Sequence, residues 1–266
     1  MNTEYEQIRR QSLGWVRQAG LIARERFGTA VTFRKPDDSP VTDVDHAVQD
    51  TLLTAIAQHY PLDAVITEET QADPDRHAAV ASARRCWVID PIDGTRNYAR
   101  AVPLFCVSVA LMEKGWPVVG IIFDPMTDRM YSASAGGGVW LNDAPLTPEG
   151  VRDSSDILIG SPSGQNHHLP ATVHRWLDKY KIRNTGSTAL HLAHLATGGF
   201  DAVLVTEAHP WDIAAGFLLG REVGIVTRCL DGSELFPMTL PGDARRELTF
   251  FSASPDKFKP LWDELQ

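Results

Sequence analysis

A mixed architecture, part α+β and part α/β, is predicted by three features of this 266-residue chain. Helix-period and extended segments alternate along its length; hairpin-like units fall in the first part; short strands interleave with helices in the second. With 43% apolar content the chain can bury a full core. We expect one domain built of an N-terminal α+β half, about 1–145, and a C-terminal α/β half, about 146–266, sharing a cleft. The best junction is 145–150, which is too short to be a free linker.

The elements follow in order. Over 5–27, Ile8, Ser12, Trp15, Ala19, Ile22 and Phe27 recur at three-to-five-residue spacing, as one face of an amphipathic helix does. After the turn-rich Lys35-Pro36-Asp37-Asp38-Ser39-Pro40, Val44, Val48, Leu52, Ala55 and Ile56 mark a second helix that ends near Pro61, with Asp43 and Asp45 at its beginning. Apolar runs at 64–67 and 86–89 each end in acidic residues, as strands delivering carboxylates to one edge would. Segments 105–112 and 118–123 flank Glu113-Lys114-Gly115-Trp116, and 129–134 and 138–141 flank Gly136-Gly137, so part of the sheet should be antiparallel. Further on, strands are expected at 157–159, 201–205, 225–227 and 249–252, and helices at 190–196 and 211–222.

Composition removes several function classes. No run of eighteen apolar residues exists, and the opening Met1-Asn2-Thr3-Glu4-Tyr5-Glu6 is polar and acidic, so neither a membrane span nor a signal peptide is expected and a cytoplasmic location is. Cys86, Cys106 and Cys229 are odd in number and lack C-x-x-C spacing, which argues for reduced core residues rather than disulfides or thiolate zinc. A formal charge of -9 opposes nonspecific attraction to nucleic acid, and the pairs Arg9-Arg10, Arg84-Arg85 and Arg245-Arg246 are isolated rather than striped.

The carboxylates carry the chemistry. In Trp87-Val88-Ile89-Asp90-Pro91-Ile92-Asp93-Gly94-Thr95 an apolar run ends in two carboxylates three residues apart. Packed behind a strand, they would repel and pay desolvation unless a cation neutralised them. Asp45 opens a helix, Glu68 and Glu69 end a strand, and Asp212 opens the helix that begins Trp211-Asp212-Ile213-Ala214-Ala215-Gly216. Taken singly, each has an ordinary role as a cap, a turn residue or a solvated strand end; together those roles do not account for them. A few carboxylates plus a substrate phosphate suit Mg²⁺, whereas zinc would want the histidine or cysteine ligands that are missing. Gly94-Thr95 admits close approach, and N–H groups opening the following turn attract an anion.

These residues carry a resemblance. Asp90-Pro91-Ile92-Asp93-Gly94-Thr95-Arg96-Asn97-Tyr98 resembles the D-P-[IL]-D-G-T-x-N-F signature of the inositol monophosphatase family, and Trp211-Asp212-Ile213-Ala214-Ala215-Gly216 resembles its W-D-x-A-A-G motif. The similarity extends to Pro40-Val41-Thr42-Asp43-Val44-Asp45, Glu68-Glu69, Gly186-Ser187-Thr188-Ala189-Leu190 and Ala196-Thr197-Gly198-Gly199, in the expected order. It implies a layered αβαβα sandwich of the inositol monophosphatase and fructose-1,6-bisphosphatase type. It also implies a lithium-sensitive, Mg²⁺-dependent phosphomonoesterase, commonly a homodimer, acting on a small phosphorylated metabolite.

By resemblance, Glu68, Asp90, the Ile92 carbonyl, Asp93 and Asp212 would ligate two or three Mg²⁺ ions, with Asp90 bridging. Asp45 and Thr95 would activate a water for in-line attack. Asp93, Gly94, Thr95, Ser161, Gly186, Ser187 and Thr188 would contact substrate. Three positions depart from the pattern. Val205 stands where inositol-specific members carry a glutamate, and Glu207, two residues on, would point to the same side in an extended strand and could make a shifted contact. Arg96 replaces threonine, and Thr67 replaces a glycine before the paired glutamates. The leading expectation is a small polyol or sugar phosphate such as inositol monophosphate; the alternative keeps the chemistry on histidinol phosphate, fructose 1,6-bisphosphate or a 3′-phosphoadenosine nucleotide, and a catalytically idle binding or regulatory relative is the alternative of another class.

Other motifs imply no further chemistry. Ser161-Pro162-Ser163-Gly164 is not G-x-S-x-G, and His167-His168 belongs to no H-E-x-x-H. His191 and His194, three apart on a predicted helix, read as a packed or hydrated face rather than a metal pair.

Overall fold

Helix α1 (Thr3–Glu25) buries Ile8, Ser12, Trp15, Val16 and Ala19 on one face, the face its periodicity marks. This computed structural model describes residues 3–70, 80–81, 83–146, 156–162, 169–245 and 247–266. Strands β1 (Thr32–Arg34) and β2 (Pro40–Thr42) form a small antiparallel hairpin that leads into helix α2 (Asp43–His59).

A seven-stranded sheet follows. In spatial order it comprises β3 (Ala64–Thr67), β4 (Arg85–Asp93), β5 (Cys106–Glu113), β6 (Trp116–Asp124), β7 (Arg129–Ser134), β8 (Val139–Leu141) and β9 (Ala144–Pro145). The β3–β4 pair is parallel and the rest are antiparallel, with β5–β6 and β7–β8 as the two expected hairpins. A short helix α3 (Thr95–Tyr98) leaves the end of β4. The second sheet has five strands, ordered β11 (Lys181–Arg183), β10 (Leu158–Gly160), β12 (Ala202–Ala208), β14 (Leu248–Ala253) and β13 (Val226–Cys229). It is interleaved with helices α4 (Ala171–Lys179), α5 (Thr188–Ala196), α6 (Pro210–Glu222) and α7 (Pro255–Leu265).

Side-chain alternation sorts these elements into five layers. Trp87 and Ile89 of β4 pack with Val16 and Leu52 of α1 and α2, whereas Cys86 and Val88 face the other way, toward Leu192 and Leu218 of α5 and α6. Likewise Val203 and Val205 of β12 face α5 and α6, while Ala202 and Leu204 join Val173, Trp176 and Leu261 of α4 and α7. The order is thus helices, seven-stranded sheet, helices α5 and α6, five-stranded sheet, helices: the expected αβαβα sandwich. Close approach at the middle layer requires small residues. A Cβ on Gly120 would lie 2.8 Å from the Ala215 carbonyl oxygen, and one on Gly216 would lie 2.4 Å from Leu192 Cβ.

Some boundaries differ from expectation. β4 runs on through Asp93 instead of ending at Ile89, because Asp93 still pairs with Cys106 beyond a bulge. The β1–β2 hairpin, α4, β11 and α7 were not expected; two are three-residue strand sets too short to show a period, and α7 carries Pro260 inside it. Within the junction 145–150, residues 147–150 lie outside the described residues, as do His167, His168, Ser163 and Gly164. Among the described residues no helix is long and apolar enough to cross a membrane.

Candidate metal and phosphate site

Parallel pairing of β3 with β4 aligns Thr67 with Ile89, so the turn Glu68–Thr70 emerges beside Asp90. Between Asp90 and Asp93 the β4–β5 register shifts, and this bulge turns both carboxylates toward one region while keeping them buried, at 2% and 8% exposure. The third carboxylate arrives from the opposite side. Pro210 begins α6, and Asp212 closes its first turn by accepting the His209 N–H at 2.7 Å. Asp90, Asp93 and Asp212 each offer an oxygen within 4.8 Å of the others.

Among the described residues no lysine or arginine forms an ion pair with this trio. Burial, then repulsion from Glu68 and Asp93, drives the Asp90 carboxyl well above the usual range; burial, then Asp93 and Glu68, does the same to Asp212. Burial also raises Asp93, but hydrogen bonds from Ser187 Oγ and the Ala189 N–H, both at 2.6 Å to Oδ2, hold it to about 6. An all-oxygen set of repelling carboxylates fits a hard divalent cation. Glu68 lines the same cleft, where its carboxylate meets Lys35 Nζ at 2.6 Å. Lys35 also reaches Glu69 at 2.8 Å; burial opposes its charge, but the two glutamates prevail and raise its pKa.

Beside the trio lies a second pair. Asp45 is fully buried at the third position of α2, where its Oδ2 accepts the Thr42 N–H at 2.9 Å in a reciprocal capping box; burial raises its pKa. The Thr95 hydroxyl stands 2.9 Å from the Ile92 carbonyl oxygen and 3.3 Å from Asp45 Oδ1, and with one proton it can donate to only one of them at a time. Gly94 precedes it at φ 101°, a left-handed conformation, and a Cβ there would press 2.9 Å from the Leu104 carbonyl oxygen.

The cleft is lined by Glu68, Asp90, Ile92, Asp93, Gly94, Thr95, Arg96, Gly186, Thr188 and Asp212, together with Ser39 and Pro40. Of the remaining expected residues, Asp45 lies behind Thr95 and Ser187 behind Asp93. Ser161 and Glu207 are not part of this lining. Ser161 is buried after β10, its N–H bonded to the Arg183 carbonyl. Glu207 does not share a side with Val205. The β12–β14 register breaks between Val205 and Ala208, Glu207 sits at φ 55°, and it is exposed while Val205 is buried at 2%. The bulge breaks the alternation on which the shared side depended.

Two contributors escaped the sequence reading. Lys35 sits in a turn-rich segment next to Arg34, and its pairing with Glu68, 33 residues away, has no signal in the sequence. Asn97 was seen only as part of the signature, yet its Nδ2 donates to the Leu104 and Thr185 carbonyls, both at 2.7 Å, tying the loop after α3 to the segment before α5.

Comparison with known proteins places the chain. The model of the inositol monophosphatase family matches residues 4–249. The chain is 33% identical over 227 residues to the inositol-1-monophosphatase of Mesorhizobium japonicum, covering 82% of this chain and 83% of that one. It is 35% identical over 217 residues to the Nus factor SuhB of Pasteurella multocida, covering 78% and 79%. Its fold matches that of an IMPase/NADP phosphatase crystallised with Mg²⁺ and phosphate, with a TM-score of 0.84 at 23% identity, covering 99% and 97%. On sequence, fold and family match together, the chain belongs to the inositol monophosphatase family.

Proposed function

We propose that this protein hydrolyses a small phosphate monoester, inositol monophosphate or a related polyol or sugar phosphate, with Mg²⁺ and a water nucleophile, releasing inorganic phosphate. The observation that carries this is the trio of buried Asp90, buried Asp93 and half-buried Asp212, which no cation among the described residues pairs, in the same cleft as Gly94 and Thr95. Glu68, Asp90, the Ile92 carbonyl, Asp93 and Asp212 would hold two or three Mg²⁺ ions. When bound, the ions supply a Lewis acid that acidifies water and stabilises charge on the attacking and leaving oxygens.

The chain's own residues do the rest. As water loses a proton to Thr95 Oγ, the threonine hydroxyl turns from the Ile92 carbonyl and passes its own proton to Asp45 Oδ1. Burial favours the protonated form of Asp45, which makes it a suitable acceptor. The Gly94 and Thr95 N–H groups would bind the phosphate, since the first N–H groups of a helix lack partners within it. Asp93 would help orient the substrate, with Gly186, Ser187 and Thr188 on the leaving-group side.

The same chemistry on histidinol phosphate, fructose 1,6-bisphosphate or a 3′-phosphoadenosine nucleotide is the alternative. It is supported by buried Val205, which offers the ring hydroxyls of inositol nothing, and by the exposed Arg96 on the cleft wall. A regulatory, non-catalytic role is the second reading, favoured by the name Nus factor that several relatives carry. Retention of Asp45, Glu68, Asp90, Asp93, Thr95 and Asp212 weighs against it, because a repelling buried cluster is costly to keep without use. We further propose a cytoplasmic homodimer of two-halved protomers, with neither nucleic acid nor membrane as partner.

Phosphate release across inositol 1-phosphate, histidinol phosphate, fructose 1,6-bisphosphate, 3′-phosphoadenosine 5′-phosphate and 2′-AMP, with EDTA and lithium controls, tests the proposal. Mg²⁺-dependent turnover of one substrate, abolished by EDTA and lowered by lithium, is expected. Absence of turnover on all five would favour the regulatory reading.

A further inference from the structure

His191 takes no part in the chemistry proposed above, yet its ring is joined to the cleft by a short chain of hydrogen bonds. It lies on α5, 4% exposed, edge-on to Phe200 at 5.6 Å. Its Nε2 is 2.9 Å from the Thr185 backbone nitrogen. A backbone N–H can only donate, so Nε2 carries the lone pair and the ring proton resides on Nδ1. Only a neutral ring can accept this bond. Burial lowers the His191 pKa to about 4, with His194 adding to the effect, so the ring is neutral at ordinary pH.

Thr185 is held from both sides. Its N–H meets His191, and its carbonyl accepts from Asn97 Nδ2 at 2.7 Å. Its hydroxyl donates to the Ser187 carbonyl at 3.1 Å, which also accepts the His191 N–H at 3.2 Å. Gly186, at φ 72°, makes the turn between them so close to Asn97 that a Cβ would lie 2.6 Å from Nδ2. Ser187 then donates to Asp93 Oδ2 at 2.6 Å. Four residues thus run from a buried helix face to a carboxylate of the trio.

We propose that His191 is a positioning residue: by accepting the Thr185 N–H it sets the Gly186–Ser187 strap against Asp93, and so tunes divalent-cation affinity from outside the cleft. This rests on the phosphatase reading for its metal. Partners of ligands commonly change metal affinity by tens of fold when lost, because they fix ligand orientation.

The test compares His191→Leu with His191→Gln, whose amide oxygen reaches the Nε2 position. Mg²⁺ is titrated into EDTA-stripped protein by calorimetry, and hydrogen exchange is followed at the Thr185 amide. His191→Leu should bind Mg²⁺ about tenfold more weakly and exchange Thr185 faster; His191→Gln should restore both. A His191→Leu protein that melts earlier but keeps wild-type Mg²⁺ affinity and Thr185 protection would overturn the proposal. If His191→Leu does not fold, His191→Asn, whose shorter side chain cannot reach, replaces it, and equal behaviour of the Asn and Gln variants would overturn it. Wild-type protein that takes up no Mg²⁺ would contradict the phosphatase reading instead; in that case unchanged Thr185 exchange in the Leu variant would still overturn the role of His191.

Discussion

Glu6 and the trio Asp90, Asp93 and Asp212 both lie against the seven-stranded sheet, and they behave in opposite ways. Glu6, on α1, meets Arg9 through both carboxylate oxygens at 2.7 and 2.8 Å, and also Arg10 at 2.7 Å and Ser134 at 3.0 Å. The Arg9 hydrogen bonds, against the opposing effect of burial, pull Glu6 down to about 2. Asp90, Asp93 and Asp212 have no such cation among the described residues, and burial pushes all three up. A buried carboxylate supplied with its own arginine is structural, because the fold has already met its charge. A repelling trio without one has its charge unmet by the described residues, which is what the proposed cation would supply. Lys35 is the intermediate case, a cation shared between Glu68 and Glu69 at the cleft edge.

The contrast can be broken from either end. Asp90→Asn removes charge from the cluster that lacks a cation. It should lower phosphate release by at least about a hundredfold, while the melting temperature in EDTA stays the same or rises because repulsion is relieved. Glu6→Ala should do the reverse. Stranding the buried Arg9 guanidinium costs about 3 kcal/mol in denaturant unfolding, with turnover per folded molecule unchanged.

pH separates the clusters next. Asp93 is raised from 3.8 to about 6, so its protonated form favours the folded state; that contribution is whole below about pH 4 and is lost as pH climbs through 6. Glu6 is lowered from 4.5 to about 2, so its contribution is whole above 4.5 and is lost as pH falls through 2. Melting temperatures in EDTA should therefore fall between pH 4 and 7, and either Mg²⁺ or Asp93→Asn should flatten that fall. A slope unaffected by both would show that the trio does not govern it. The smallest effect is expected at the intermediate case. Lys35→Met should cost about 1 kcal/mol in EDTA, and Mg²⁺ should restore it, as paired melts can check.

How much of this was legible in the sequence follows from the physics of each element. Long periodic segments such as α1 and the β5–β6 hairpin announce themselves, since many residues vote for one face. The grouping of the carboxylates was legible because ordinary roles that suit each one singly do not account for all together, and the structure brings Asp90, Asp93 and Asp212 together from two elements. What failed was whatever depended on local backbone irregularity. Strict alternation placed Glu207 beside Val205, but a single bulge with Glu207 at φ 55° separates them. Lys35 and His191 were missed as partners because their roles come from tertiary contacts, with Glu68 33 residues away and with the Thr185 backbone, which no spacing rule encodes. A backbone N–H leaves no trace in the sequence of who accepts it.

Calorimetric titration of Mg²⁺ into EDTA-stripped protein near pH 6, repeated in buffers of different ionisation enthalpy, tests the central claim most directly. Carboxyls raised by burial must shed protons to ligate a cation. The account predicts saturable binding with proton release, both lost in Asp90→Asn and both retained in Glu6→Ala. Mg²⁺ binding that survives Asp90→Asn unchanged, or no binding at all, would contradict it.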